Sequence, residues 1–143
     1  MVYKEGLKEV PMSTFQYLTE EWRAEAERRL KAEVTPDRMN HITSSMSNVY
    51  LDCPGGGSKY LLFRFADGAL TELALGTGVP PEAEFHITGA YDVFAQISRA
   101  EIGAQKALMT GKLKLKGNMI QALKLAAIAD RLNKVLAGIP ATY

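Results

Sequence analysis

The sequence predicts an α+β fold in which a five-stranded, mainly antiparallel sheet is covered on one face by helices. Three observations predict it. Apolar residues at helical spacing near the start give way to alternation from about Ser47, glycine-bearing turns cut the alternating stretch into short runs, and an Ala- and Leu-rich tract from Met119 returns to helical spacing. The expected order is helix, four strands, two short helices, strand, long helix. At 143 residues the chain accommodates this as a single domain, 1–143.

The first helix is expected from Ser13, where Ser13-Thr14-Phe15-Gln16 has the form of a capping box and Met12 and Tyr17 stand at the positions of a hydrophobic staple. Phe15, Leu18, Trp22 and Leu30 recur near helical spacing. Glu25 with Arg29 and Glu27 with Lys31 make favourable pairs four residues apart, and Thr35-Pro36 ends the helix after about Glu33. In the strand region, Val49, Leu51 and Cys53 alternate with Asn48, Tyr50 and Asp52. Past the turn Pro54-Gly55-Gly56-Gly57, Leu61, Phe63 and Phe65 alternate with Tyr60, Leu62 and Arg64, which completes a hairpin. Ala66-Asp67-Gly68 turns the chain into a third strand whose Thr71, Leu73 and Leu75 share a face, and Phe85 and Ile87 mark a fourth. One dry and one wetter face describe an antiparallel sheet covered on a single side.

Two short helical pieces follow, Tyr91 to Arg99 and Glu101 to Thr110, with Phe94, Ile97, Ile102 and Leu108 as anchors. In Gly111-Lys112-Leu113-Lys114-Leu115-Lys116-Gly117-Asn118 the leucines point inward from a fifth strand and the lysines face water, where they also discourage edge pairing. Gly117 breaks the strand, and the Asn118 side chain caps the next helix. That helix carries the stripe Ala122, Leu125, Ala129, Leu132 and Leu136, enough to lie on a sheet. Yet nine of the eleven residues from Met119 to Ala129 are apolar, and Ile120, Leu123 and Ala127 fall on another side. Either the rest of the fold or a ligand in an apolar cavity has to cover that surplus.

Composition narrows the function. The apolar fraction of 47% and charged fraction of 23% suit an ordinary globular domain. No apolar stretch approaches the ~18 residues of a membrane span, and the start lacks a signal-like apolar core, so a cytoplasmic location is expected. The lone Cys53 is expected as a small core residue. Residues 1–101 hold 10 Lys/Arg against 15 Asp/Glu, whereas residues 102–143 hold 7 against 1, so the C-terminal third is a basic block. Such a block suits an anionic membrane surface or an acidic partner; without interleaved aromatics it does not suggest nucleic-acid binding.

Catalytic patterns are sparse. Gly55-Gly56-Gly57 and Gly76-Thr77-Gly78 match no phosphate-binding loop. His41 and His86 have no further ligand at metal spacing, and His41 near Ser44, Ser45 and Ser47 lacks a nucleophile elbow. Glu82 and Glu84 are expected to be solvated at a strand entrance. The expectation is a protein that is not an enzyme and carries no cofactor or metal.

The strand meander, the run Phe85-His86-Ile87-Thr88-Gly89, the two short helices, Gly111 to Asn118 and the closing amphipathic helix together resemble sterol carrier protein type 2 domains over about residues 45–137. Aspartate often stands in that family at the place of Asn118, and either residue caps. The terminal Ala-Thr-Tyr is not a Ser-Lys-Leu peroxisomal address, so that location is not carried over. The resemblance implies an apolar tunnel between sheet and helices that binds lipids or fatty acyl groups without chemistry on them. It places Leu113, Leu115, Met119, Ile120 and Leu123 at or near the tunnel, with Phe85 from the strand before and Phe94, Ile97, Leu108 and Met109 from the short helices. Met109 and Met119 carry flexible thioethers that adapt to varied ligand shapes. Lys112, Lys114, Lys116 and Lys124 are expected to assist docking on anionic membranes. The alternative is an accessory domain that buries the same apolar surface against a protein partner, such as an enzyme, or against a second copy as a homodimer.

Overall fold

A computed structural model of the chain describes residues 14–143, apart from the side chains of Ala126 and Ala127. Strand β1 (Phe15–Gln16) precedes helix α1 (Glu20–Glu33); a meander of β2 (Ser44–Leu51), β3 (Lys59–Ala66) and β4 (Ala69–Thr77) follows, and β5 (Phe85–Ala90) crosses back beside β2. Helices α2 (Tyr91–Ser98) and α3 (Ala104–Met109) lead to β6 (Lys114–Lys116), the long helix α4 (Met119–Ala137) and a last short strand, β7 (Ala141–Thr142). The main sheet runs β4-β3-β2-β5-β6. Only the central β2–β5 pair is parallel; the three other pairings are antiparallel. Among the described residues no helix is long and apolar enough to cross a membrane.

The first helix starts later than the capping-box reading expects. Ser13 and Met12 lie outside the described residues, but Phe15 and Gln16 are extended, paired in parallel with Ala141 and Thr142. The amides of Phe15 and Tyr17 donate to the carbonyls of Pro140 and Thr142 at 2.8 and 2.9 Å. Leu18 is left-handed, with φ 59°, which no continuing α-helix tolerates. The cap is Thr19, whose hydroxyl accepts from the Trp22 amide at 3.3 Å. Long-range pairing thus supplies backbone partners that an extra helical turn would otherwise have given. The helix ends at Val34 as the Thr35-Pro36 signal requires, and the pairs Glu25–Arg29 and Glu27–Lys31 form at 2.6 and 3.0 Å.

Register settles which strand residues face the helices. Leu61, Phe63 and Phe65 are buried as expected. Opposite them, Asn48 pairs with Leu61 and Met46 with Phe63, so the core face of β2 carries Met46, Asn48 and Tyr50, while Leu51 is exposed. The apolar alternation through Val49 and Leu51 therefore has the opposite phase from a simple dry-face reading. A bulge at Arg64/Phe65 makes a second change: Leu70 stands opposite Phe65, and Thr71 is left exposed. Buried Cys53 fills core space as expected.

The closing helix behaves as its spacing dictates. Ala122, Leu125, Ala129, Leu132 and Leu136 are all buried. The Asn118 Oδ1 accepts from the Gln121 amide at 3.0 Å, which satisfies one of the orphan donors of the first turn. Asp130 of α4 reaches sideways and accepts from the Ala104 amide at 2.9 Å, so α3, whose own cap residue is Gly103, takes its cap from α4. The far end of α4 is tied to α1 by Arg29 Nη1, which donates to the Gly138 carbonyl at 2.9 Å, and Arg131 donates to the Arg38 carbonyl.

Candidate functional site

An interior cavity lies where α4 crosses the core face of the sheet. Its floor is Met46, Asn48 and Tyr50 from β2, Leu61 and Phe63 from β3 and Ile87 from β5. Its roof is Ala129, Leu132, Asn133 and Leu136 of α4, and its flanks are Phe94, Ile97 and Ser98 of α2 with Ala104, Leu108 and Leu113. Tyr17 and Trp22 close one end. The void is about 40 Å³. That holds a few waters at most, against roughly 300–1,000 Å³ for a small-molecule site, so the cavity is closed in this state.

The closed end is aromatic and polar-tipped. Trp22 meets the Tyr17 ring edge-on at a centroid distance of 4.9 Å, and Tyr50 lies 4.3 Å from Phe94. Burial is the main cause that raises the Tyr17 and Tyr50 hydroxyls above the usual phenol range, so both stay protonated. Trp22 is fully buried, and its indole Nε1 has no hydrogen-bond partner among the described residues. An unpaired buried donor costs about 1–3 kcal/mol. Ser47 Oγ and Tyr91 Oη also lack partners among the described residues, but neither residue lines the cavity. The Trp22 position is firmly set: Arg23 Nη1 binds the β4 carbonyl of Leu73 at 3.0 Å, and Lys59 Nζ binds the Leu18 carbonyl at 2.9 Å.

Of the residues expected at a tunnel, Phe94, Ile97, Leu108 and Leu113 line the cavity. Phe85 is buried but belongs to the core beside a separate surface cleft with Gln121 and Lys124. Leu115 and Leu123 are half-buried against the core without reaching the void. Met109, Met119 and Ile120 do not line the cavity and have 70%, 49% and 70% of their surface exposed. The surplus apolar side of α4 is thus uncovered at Met119 and Ile120, and it is the ordinary sheet-facing stripe that roofs the cavity. Lys112, Lys114, Lys116 and Lys124 are all exposed. Trp22, Asn48, Tyr50 and Asn133 carry no local sign of a cavity. Only the strand register and the α1 entry bring them together, although Trp22 stands out in the sequence as part of a helix stripe.

Several titratable groups outside the cavity have local partners. His41 bridges Asp37, at 2.8 Å from Nε2, and Asp67, at 3.0 Å from Nδ1. The Glu84 carboxylate accepts from Ser44 Oγ at 2.8 Å, and the Glu82 carbonyl accepts from Arg64. The three glycines of the β2–β3 turn all have positive φ and form a hairpin loop.

The fold and its site have relatives. The SCP-2 sterol transfer family profile matches residues 24–130. No curated protein matches. Among solved structures, the chain is similar to a crystal structure of sterol carrier protein 2, at 23% identity and a TM-score of 0.75, with 87% of this chain and 99% of that one covered. A conserved hypothetical protein from Thermus thermophilus is similar at 23% identity and a TM-score of 0.75, covering 91% and 94%. A palmitated sterol-carrier-protein-2-like protein from Aedes aegypti follows at 20% identity and a TM-score of 0.55, covering 77% and 93%. These likenesses concern the fold, while the profile spans most of the chain: this protein belongs to the SCP-2 sterol transfer family, whose domains bind and transfer lipids.

Proposed function

We propose that this chain takes a lipid or fatty acyl group into the cavity beneath α4 and carries it between membranes without chemistry on it. The observation that carries the reading is a cavity floored by the sheet and roofed by the longest helix, lined by apolar and neutral side chains. That one similar structure is a palmitated protein agrees with it.

The void is too small for an acyl chain, so loading requires the roof to lift. Asp130 couples α3 to α4, and the two helices would move as a unit with the α1 ties as the hinge side. Burial of fifteen methylenes from water is worth about 12 kcal/mol, yet a lipid leaving a bilayer comes from a medium already apolar. Modest packing differences therefore decide who holds the cargo, and membrane collision limits the rate. The exposed Met109, Met119 and Ile120, with the exposed Lys112, Lys114, Lys116 and Lys124 near them in sequence, suit an anionic bilayer: lysines attract its headgroups at about 1 kcal/mol each and apolar side chains enter it.

The test is transfer of a fluorescent fatty acid from anionic donor vesicles to acceptors at low salt. Replacing the four lysines with glutamine is expected to slow transfer at least about tenfold, and Ile120→Ser with Met119→Ser to slow it further, while equilibrium binding of the probe in solution is retained. Unchanged transfer refutes the docking face. Failure of the native protein to bind both the fatty-acid probe and its uncharged methyl ester refutes the carrier reading.

A further inference from the structure

Trp22 is fully buried, it lines the cavity, and its indole nitrogen is an unmet donor among the described residues. The polar lining of the cavity consists otherwise of Tyr17, Asn48, Tyr50, Ser98 and Asn133; no described residue that lines the cavity carries a charge. We propose that the cavity selects an uncharged lipid bearing an oxygen acceptor, an ester or ketone, whose oxygen takes the hydrogen bond of the Trp22 indole. The proposal rests on the reading that lipid enters this cavity.

The chemistry is one of matching. An indole nitrogen donates and never accepts, so it needs an acceptor oxygen, and a carbonyl oxygen, unlike a hydroxyl, brings no further donor that would itself need a partner. A carboxylate or phosphate brought to the same place would lose its hydration with no cation to offset the loss. A plain hydrocarbon would fill the space and leave the donor unpaired. The tyrosine hydroxyls stay protonated in this setting and supply no negative charge that could instead draw a cationic head group. The site thus ranks ester above hydrocarbon and above an ionised fatty acid of equal length, provided that the head enters first. An acid bound tail-first, with its carboxylate left in water, would escape the ranking, and the comparison below detects that.

The experiment uses delipidated full-length protein and three probes of matched chain: methyl laurate, dodecane and ionised laurate at a pH well above the carboxylate range. Trp22 is the single tryptophan of the chain, so its indole N–H resonance and its emission report this site alone. Methyl laurate is expected to bind about tenfold more tightly than dodecane, the worth of one buried donor satisfied, and to shift the indole N–H resonance downfield, which dodecane does not. Laurate is expected to bind more weakly than the ester. In Trp22→Phe the ester preference is expected to be lost, the ratio of methyl laurate to dodecane affinity by calorimetry falling to about one. Equal affinities for ester and dodecane, an unmoved N–H resonance with ester bound, or laurate binding as well as the ester overturns the inference while leaving lipid binding in place. If none of the three binds, the carrier reading itself falls. Should Trp22→Phe fail to fold, the resonance shift in the native protein decides alone.

Discussion

If the void beneath α4 is where cargo sits, then enlarging it should help cargo more than it helps anything else. Leu132 and Leu30 are equally suitable for truncation: both are buried, at 2% and 1% exposure, but only Leu132 lines the cavity. Leucine to alanine in a packed core costs about 3 kcal/mol. A chain of 143 residues unfolds with an entropy of about 0.3 kcal/mol per kelvin, so Leu132→Ala and Leu30→Ala should each lower Tm by about 10 °C without lipid. With an acyl ligand in excess the two part company. The three carbons removed from Leu132 leave room that ligand methylenes can fill at about 0.8 kcal/mol each, so up to about 2.4 kcal/mol, or about 8 °C of the loss, returns on loading. Leu30→Ala should show only the ligand shift of the native protein. The assay is thermal unfolding by circular dichroism with and without ligand. Equal ligand shifts in the two variants would refute the assignment of the cargo to this cavity.

Gly117 has φ 141°, and a Cβ there would sit 2.8 Å from Phe85 Cδ1 and 3.2 Å from the Glu84 carbonyl. Backbone strain and overpacking together make Gly117→Ala destabilising by at least about 2 kcal/mol, visible as a drop of about 7 °C in Tm; a native-like Tm would contradict the geometry. His41, held first by Asp37 and then by Asp67, has its pKa raised above 6.5. Because the folded value is the higher one, the bridge adds stability fully below pH 6.5 and loses it as pH rises through the folded pKa. Imidazole titration by NMR should find that elevation, and Asp67→Asn should reduce it; a native pKa at or below 6.5 would show that the bridge is absent.

Local interactions were legible in the sequence, and long-range ones were not. The α4 stripe, the Asn118 cap, the glutamate–arginine and glutamate–lysine pairs of α1, the hairpins and the lysine-edged β6 all follow from spacings of two to four residues, since such neighbours meet whatever the rest of the chain does. The resemblance carried by Gly111 to Asn118 also led to the right family. Apolar character tells that a side chain avoids water without telling what covers it, and Met109, Met119 and Ile120, which the resemblance placed at or near a tunnel, stand exposed.

What tertiary structure alone decided is the α1 start, the phase of β2 and the character of the cavity. Phe15 and Gln16 leave the helix because partners at Ala141 and Thr142, more than a hundred residues away, take their backbone groups. Asn48 and Tyr50 turn inward because antiparallel register sets Asn48 beside Leu61. Alternation gives a strand two equivalent faces, and only pairing breaks the tie. Trp22 becomes a donor without a partner among the described residues because α1, β2 and α4 close around it, a condition that no neighbour in sequence imposes.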